Sequence, residues 1–189
     1  MSVFETSEKV QKALKFASEK HKGQKRDDGS DYIVHPIRVA KLVEQYKKSS
    51  HMEDLLCAAL LHDTLEDTYT SPREIADNFG KLVASMVIEL TTAPTVPKLI
   101  GKDVYLANKM INMTSYALVI KLADRLDNVR DLGGVTPQKR ERYIKETRSI
   151  LSMIKIRQVL TQAQLDLIAE INKTLKKYDE ETDKEVKSL

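Results

Sequence analysis

Turn-forming residues are too few in this chain to support a sheet protein. Six glycines and five prolines serve 189 residues, about half the average share of roughly 12%. Short strands need a turn at every connection, whereas long helices need few. Apolar residues recur at helical spacing: Val10, Leu14 and Ala17 early in the chain, and Val119, Leu122, Leu126 and Val129 later. The expected fold is all-α, a compact bundle of eight to nine helices with no sheet.

Local signals set the expected boundaries. The first helix runs from about Ser7 to His21, followed by a polar loop from Gly23 to Asp31. The second opens at Pro36, where a missing N–H costs nothing, and ends near Tyr46. The third covers Met52 to His62 or Asp63. Ser71, Pro72 and Glu74 form a capping box, and Gly80 ends that helix. Further helices are expected at Lys81 to Leu90, Lys102 to Asn112, Ser115 to Leu132, and Thr136-Pro137 to Arg157. Thr92 to Ile100, with two prolines, reads as a loop. Thr161 and Gln164 make a second capping box, and the last helix ends near Tyr178. Residues 1–178 are expected to form a single domain and 179–189 a charged tail, either fraying or an extra solvated turn.

Several classes of protein are excluded. The longest apolar run, Leu55 to Leu61, has seven residues, against the roughly 20 that a membrane span needs. The start, MSVFETSEKV, lacks the basic-then-apolar pattern of a signal peptide. A single cysteine, Cys57, allows neither an internal disulfide nor a cysteine zinc cluster; inside the apolar run it reads as a small buried hydrophobe. A cytoplasmic location is the expectation. Net charge is +3 from 31 basic and 28 acidic residues, too balanced to predict a nucleic-acid partner.

Chemistry gathers directly after the apolar run. In Leu60-Leu61-His62-Asp63-Thr64-Leu65-Glu66-Asp67-Thr68, four of nine side chains are imidazole or carboxylate. A core helix that ends in such groups buries charge unless something neutralises it. A divalent cation does so, and mixed imidazole and carboxylate donors suit zinc, manganese or iron. His62 and Asp63 diverge by about 100° on a helix, so both reach one ion only if it sits off the helix end. Glu66 and Asp67 then lie beside the ion, where a carboxylate can orient or deprotonate a water. Two other segments fit the same centre. His35-Pro36 stands at a helix start. Ala117 to Ala123 is apolar almost all round, so Asp124 behind it needs a partner; Lys121 and Asn128 lie nearby.

Together these segments resemble the HD-domain metal-dependent phosphohydrolases, and more closely the hydrolase domain of the RelA/SpoT alarmone enzymes and their stand-alone small relatives. The resemblance rests on HKGQKRDDGSDYIVHP at 21–36, ALLHDTLEDT at 59–68, FGKLVASMVIELT at 79–91 and VIKLADRLDNVRDL at 119–132. It implies that His35, His62, Asp63 and Asp124 are metal ligands, usually for manganese. It also implies that Glu66 and Asp67 handle the attacking water and that Asn128 and Tyr32 contact the nucleotide. Arg26 matches one member of the family's basic pair; either Lys25-Arg26 or Arg26-Asp27 occupies that place. Asp31 replaces the usual proline. Asp127 stands where many members carry histidine, a change expected to touch no ligand. Cations to offset the substrate's charge are sought among Lys25, Arg26, Lys98, Lys139, Arg140 and Arg142, with Arg26 and Arg142 chosen. The implied reaction is removal of the 3′-pyrophosphate from ppGpp or pppGpp. About 30 residues follow the matching region, so a synthetase is not expected. A different nucleotide, such as an adenine alarmone or NADPH, is the alternative substrate, and a non-catalytic nucleotide sensor the alternative function.

Overall fold

The computed structural model describes residues 2–92, 101–157 and 159–187. In chain order the helices are α1 (Val3–Thr6), α2 (Glu8–Lys20), α3 (Val34–Tyr46), α4 (Met52–Leu61), α5 (Thr64–Asp67) and α6 (Pro72–Phe79). They continue with α7 (Lys81–Leu90), α8 (Lys102–Ile111), α9 (Ser115–Arg130), α10 (Pro137–Arg157) and α11 (Gln162–Lys187). A 3-10 turn, Asp131–Gly134, joins α9 to α10. Nine of these helices have eight residues or more, and the described residues contain no strand, only an isolated bridge between Lys25 and Asp31. No described helix is long and apolar enough to cross a membrane. Residues 93–100, which hold most of the expected loop and Lys98, lie outside the described residues.

The apolar run forms the central helix, α4. Every residue from Leu55 to Leu61 is at 0% exposure, so this stretch of the helix has no solvent face and is enclosed by neighbours. α3 packs on one side and α2 and α7 on others. α9 crosses α3, carries α11 on its outer side and also touches α7; α8 lies along α10. Each large aliphatic side chain buried in this way contributes about 1.5–3 kcal/mol of transfer free energy. Cys57 is buried here, and burial pushes its thiol pKa up to about 12, which makes it inert.

Caps account for most of the boundaries. Ser7 Oγ accepts from the Val10 amide and Ser71 Oγ from the Glu74 amide. Gly80 ends α6 at φ +95°, a conformation that favours glycine. At α11 the capping box is half made: the Thr161 amide donates to Gln164 Oε1 at 2.8 Å, while Thr161 Oγ1 is buried without a partner among the described residues.

Three boundaries differ from expectation. α3 begins at Val34, two residues before Pro36, because a proline anywhere in the first turn replaces an N–H that has no helical partner. α9 ends at Arg130 and tightens into the 3-10 turn. α11 continues past Tyr178 to Lys187. The expected fraying rested on charge, yet Asp179 to Lys187 contains no glycine or proline, and its glutamates and lysines are good helix formers.

Candidate active site

α4 ends where its carbonyls find side-chain donors. Thr64 Oγ1 donates to the Leu61 carbonyl at 2.7 Å, and His62 Nδ1 lies 2.7 Å from the Ala59 carbonyl. These bonds satisfy groups that a helix end leaves open. The chain then turns, and the Asp63 carbonyl accepts from the Glu66 and Asp67 amides to start the one-turn α5. His62 and Asp63 therefore sit off the end of α4 and not along a continuous helix. α3 brings His35 and α9 brings Asp124 to the same place.

The four residues converge. His35 Nε2 is 3.2 Å from Asp124 Oδ1 and 3.7 Å from Asp63 Oδ2. His62 Nε2 is 3.0 Å from Asp63 Oδ2 and 3.9 Å from Asp124 Oδ1. One donor atom from each of His35, His62 and Asp124 lies within 4.8 Å of the others. His35 and His62 are buried.

The second nitrogen of each imidazole fixes its tautomer. A carbonyl can only accept, so His62 Nδ1 carries a hydrogen, and it is the neutral ring whose Nε2 presents a lone pair to the cluster. That Nε2 is buried and has no hydrogen-bond partner among the described residues. His35 Nδ1 lies 2.6 Å from Asp127 Oδ2, so its Nε2 faces the cluster in the same sense. Two nitrogen and two oxygen donors without sulfur can hold a divalent cation of the manganese, iron or zinc type.

The charges agree with this arrangement. Burial works against the Asp124 carboxylate, but Lys121, His35 and His62 hold its pKa well below the usual range. Burial likewise opposes the Asp63 carboxylate, and His62 and His35 hold its pKa low. Burial would lower the pKa of His35, yet hydrogen bonds to Asp124 and Asp127 raise it to about 9; proton and metal compete for the same lone pair. Lys121 Nζ lies 2.8 Å from Asp124 Oδ2, and Asn128 Nδ2 donates to Asp124 Oδ1 at 2.6 Å.

A cleft of about 670 Å³ opens over the cluster. Glu66 and Asp67 stand on its edge; Glu66 Oε2 accepts from the Thr92 amide at 2.9 Å. Burial, then the negative charge of Asp63, raises the Asp67 carboxyl pKa. Tyr32 donates to Asp63 Oδ2 at 2.6 Å, so its hydroxyl meets a cluster carboxylate. Arg26 donates to Asn128 Oδ1 at 3.1 Å and Asp131 Oδ2 at 2.9 Å, and lies over the Tyr32 ring.

Other cations take different places. Lys25 lines the cleft but is exposed and paired with Asp31. Lys139 lines it and pairs with Asp27 at 2.6 Å. Arg140 caps the Leu132 carbonyl and covers Tyr178. Arg142 does not line the cleft and is exposed. On α10 it is Lys139 and Tyr143, four apart, that share the inward face; Arg142 lies one position, about 100°, off Tyr143.

One expectation is overturned. Asp127 does touch a cluster residue, since it holds His35. It is held in turn by Arg38, whose Nε and Nη2 donate to its two oxygens at 2.7 and 3.0 Å. Arg38 also bridges to Asp131. A signal for these residues was present in the spacing: Arg38 follows His35 by three, and Asp127 follows Asp124 by three.

Comparison with known proteins places this geometry. The HD-domain family model matches residues 13–158. A guanosine-3′,5′-bis(diphosphate) 3′-pyrophosphohydrolase of Aquifex aeolicus is 39% identical over 153 residues, which cover 76% of this chain and 20% of that protein. The chain therefore matches about a fifth of that longer relative. The pyrophosphohydrolase MESH1 of Xenopus tropicalis is 34% identical over 83% of this chain and 90% of its own length. Among solved structures, one reported as a metazoan ortholog of SpoT that hydrolyzes ppGpp superposes with a TM-score of 0.73 at 30% identity, covering 87% of this chain and 94% of that one. With a two-histidine, two-aspartate cluster gathered at the end of its central helix, this chain belongs to the HD-domain family, in the branch of the guanosine-3′,5′-bis(diphosphate) 3′-pyrophosphohydrolases.

Proposed function

We propose that the chain is a metal-dependent hydrolase that removes the 3′-pyrophosphate of ppGpp or pppGpp, leaving GDP or GTP. The observation that carries this reading is the convergence of two imidazole Nε2 atoms with the Asp63 and Asp124 carboxylates under one cleft. Its support in sequence is the family branch, whose relatives bear that activity in their names.

His35, His62, Asp63 and Asp124 would hold the cation, and manganese is the ion implied by the family resemblance; the same donors accept zinc or iron. When bound, such a cation polarises a phosphoryl oxygen and lowers the pKa of a coordinated water. Glu66 and Asp67 orient the attacking water, and Asp67 accepts its proton. A raised carboxyl pKa suits that task, because a stronger base takes the proton more readily. Arg26 and Asn128 hold the nucleotide's phosphates beside the cluster, the guanidinium offering a planar fork to phosphate oxygens. Lys121 and Tyr32 keep Asp124 and Asp63 in place and ionised. Water's oxygen ends on the released pyrophosphate and its remaining proton on the 3′ oxygen. The reading treats residues 1–178 as one catalytic domain acting on a soluble nucleotide in the cytoplasm.

The test is an assay of metal-stripped protein resupplied with manganese. The substrates are ppGpp, pppGpp, an adenine alarmone and NADPH, and the products are separated by anion exchange. Release of pyrophosphate with GDP from ppGpp is the expected result. Preferred turnover of another nucleotide changes the substrate. Tight ppGpp binding without turnover of any of the four makes the protein a sensor.

A further inference from the structure

Asp127 is a buried carboxylate whose bonds, among the described residues, all go to two side chains. Its side chain is 3% exposed. Oδ2 meets His35 Nδ1 at 2.6 Å, and the fork of Arg38 closes on both oxygens. The same Nη2 of Arg38 also donates to Asp131, which receives Arg26 as well. No atom of Asp127 is given to the cleft. A carboxylate only accepts hydrogen bonds, so this contact keeps the hydrogen of His35 on Nδ1 and leaves Nε2 to face Asp63 and Asp124. The ring is thereby held by its far side.

We infer that Asp127, clamped by Arg38, is a positioning residue that sets the tautomer and direction of His35 for metal binding. The inference rests on the reading of His35 as a ligand. Outer hydrogen bonds of this kind fix ligand geometry, and their loss typically weakens metal binding about 10- to 100-fold. The contacts among His35, Arg38 and Asp127 could instead serve only to pin α3 to α9. Three substitutions separate the two roles. In Asp127→Asn the amide oxygen takes the Oδ2 place, where His35 Nδ1 and Arg38 Nη2 both meet the carboxylate, so the ring keeps its hydrogen on Nδ1. Asp127→Leu removes that acceptor, and nothing then holds the hydrogen there. Arg38→Ala breaks the clamp but leaves the acceptor for His35.

The experiment measures Mn²⁺ dissociation constants by calorimetry for the wild type, Asp127→Asn, Asp127→Leu and Arg38→Ala. Imidazole ¹⁵N spectra of the zinc-loaded wild type complete the set. Expected are a hydrogen on His35 Nδ1 with Nε2 as ligand, a 10- to 100-fold weaker Asp127→Leu, and Asp127→Asn and Arg38→Ala that both bind more tightly than Asp127→Leu. A purely structural clamp makes Arg38→Ala as weak as Asp127→Leu, which overturns the inference. Wild-type affinity in Asp127→Leu overturns it too, while the metal reading stands. If the wild type itself binds no divalent cation, the metal reading falls and this inference with it. Should Asp127→Leu fail to fold, the wild-type spectrum decides, since a His35 bound through Nδ1 refutes the assignment.

Discussion

Lys121→Met isolates the electrostatics of the cluster. Lys121 Nζ is 2.8 Å from Asp124 Oδ2, with the two side chains 13% and 10% exposed. At that distance the gross attraction is about 6 kcal/mol for an effective dielectric constant of 20. Burial has already cost both groups solvation. Deleting one partner of such a pair typically destabilises by about 3–5 kcal/mol, because the remaining charge is left uncompensated. Methionine fills the stem's volume, so packing is little changed. For a chain of this size each kcal/mol moves Tm by about 2–4 °C, which gives a fall of roughly 6–20 °C in metal-free protein. A bound divalent cation supplies the missing positive charge beside Asp124, and it no longer meets repulsion from the ammonium. The Mn²⁺-induced rise in Tm should therefore be larger in Lys121→Met than in the wild type. Scanning calorimetry of both proteins, in chelator and in saturating Mn²⁺, measures the four values needed. An equal drop in both conditions, or no drop in chelator, refutes the reasoning that Lys121 and the cation neutralise the same carboxylate.

Further outcomes are expected at Asp67 and at the cleft's cations. Asp67→Asn should lower kcat by about 10²- to 10⁴-fold while Mn²⁺ binding by calorimetry stays at the wild-type value. In the wild type, the base must be ionised to accept a proton, so the rate should fall as pH drops through the raised carboxyl pKa of Asp67, and a pH–rate profile of the variant should lose that limb. Arg26→Ala should raise KM for ppGpp about 10- to 100-fold, the worth of a hydrogen bond to a charged group, whereas Arg142→Ala, at an exposed position outside the cleft, should leave steady-state kinetics unchanged.

Of the fold, what could be read early was what depends on neighbours along the chain. Ser71 and Gly80 mark their helix ends by local hydrogen bonding and backbone freedom, and both ends stand where the spacing puts them. The cluster was legible for a related reason. His62 and Asp63 follow an unbroken apolar run, and Asp124 follows a stretch that, but for Lys121, is apolar all round, so each charge stands where only a partner could keep it. At the tail, charge points to fraying while helix propensity from Asp179 to Lys187 points to a continued helix, and the helix runs on to Lys187.

Sequence alone determined which residue types would be driven together, since burying an imidazole or carboxylate without compensation is costly wherever it occurs. Only the tertiary structure decided which atoms face the common point. Asp127 reaches His35 across 92 positions, and Arg26 reaches Asp131 across 105. Arg142 faces away while Tyr143 beside it faces in. Such choices follow from how α3, α9 and α10 are rotated against one another, which is set by the packing of the whole core and not by any one segment.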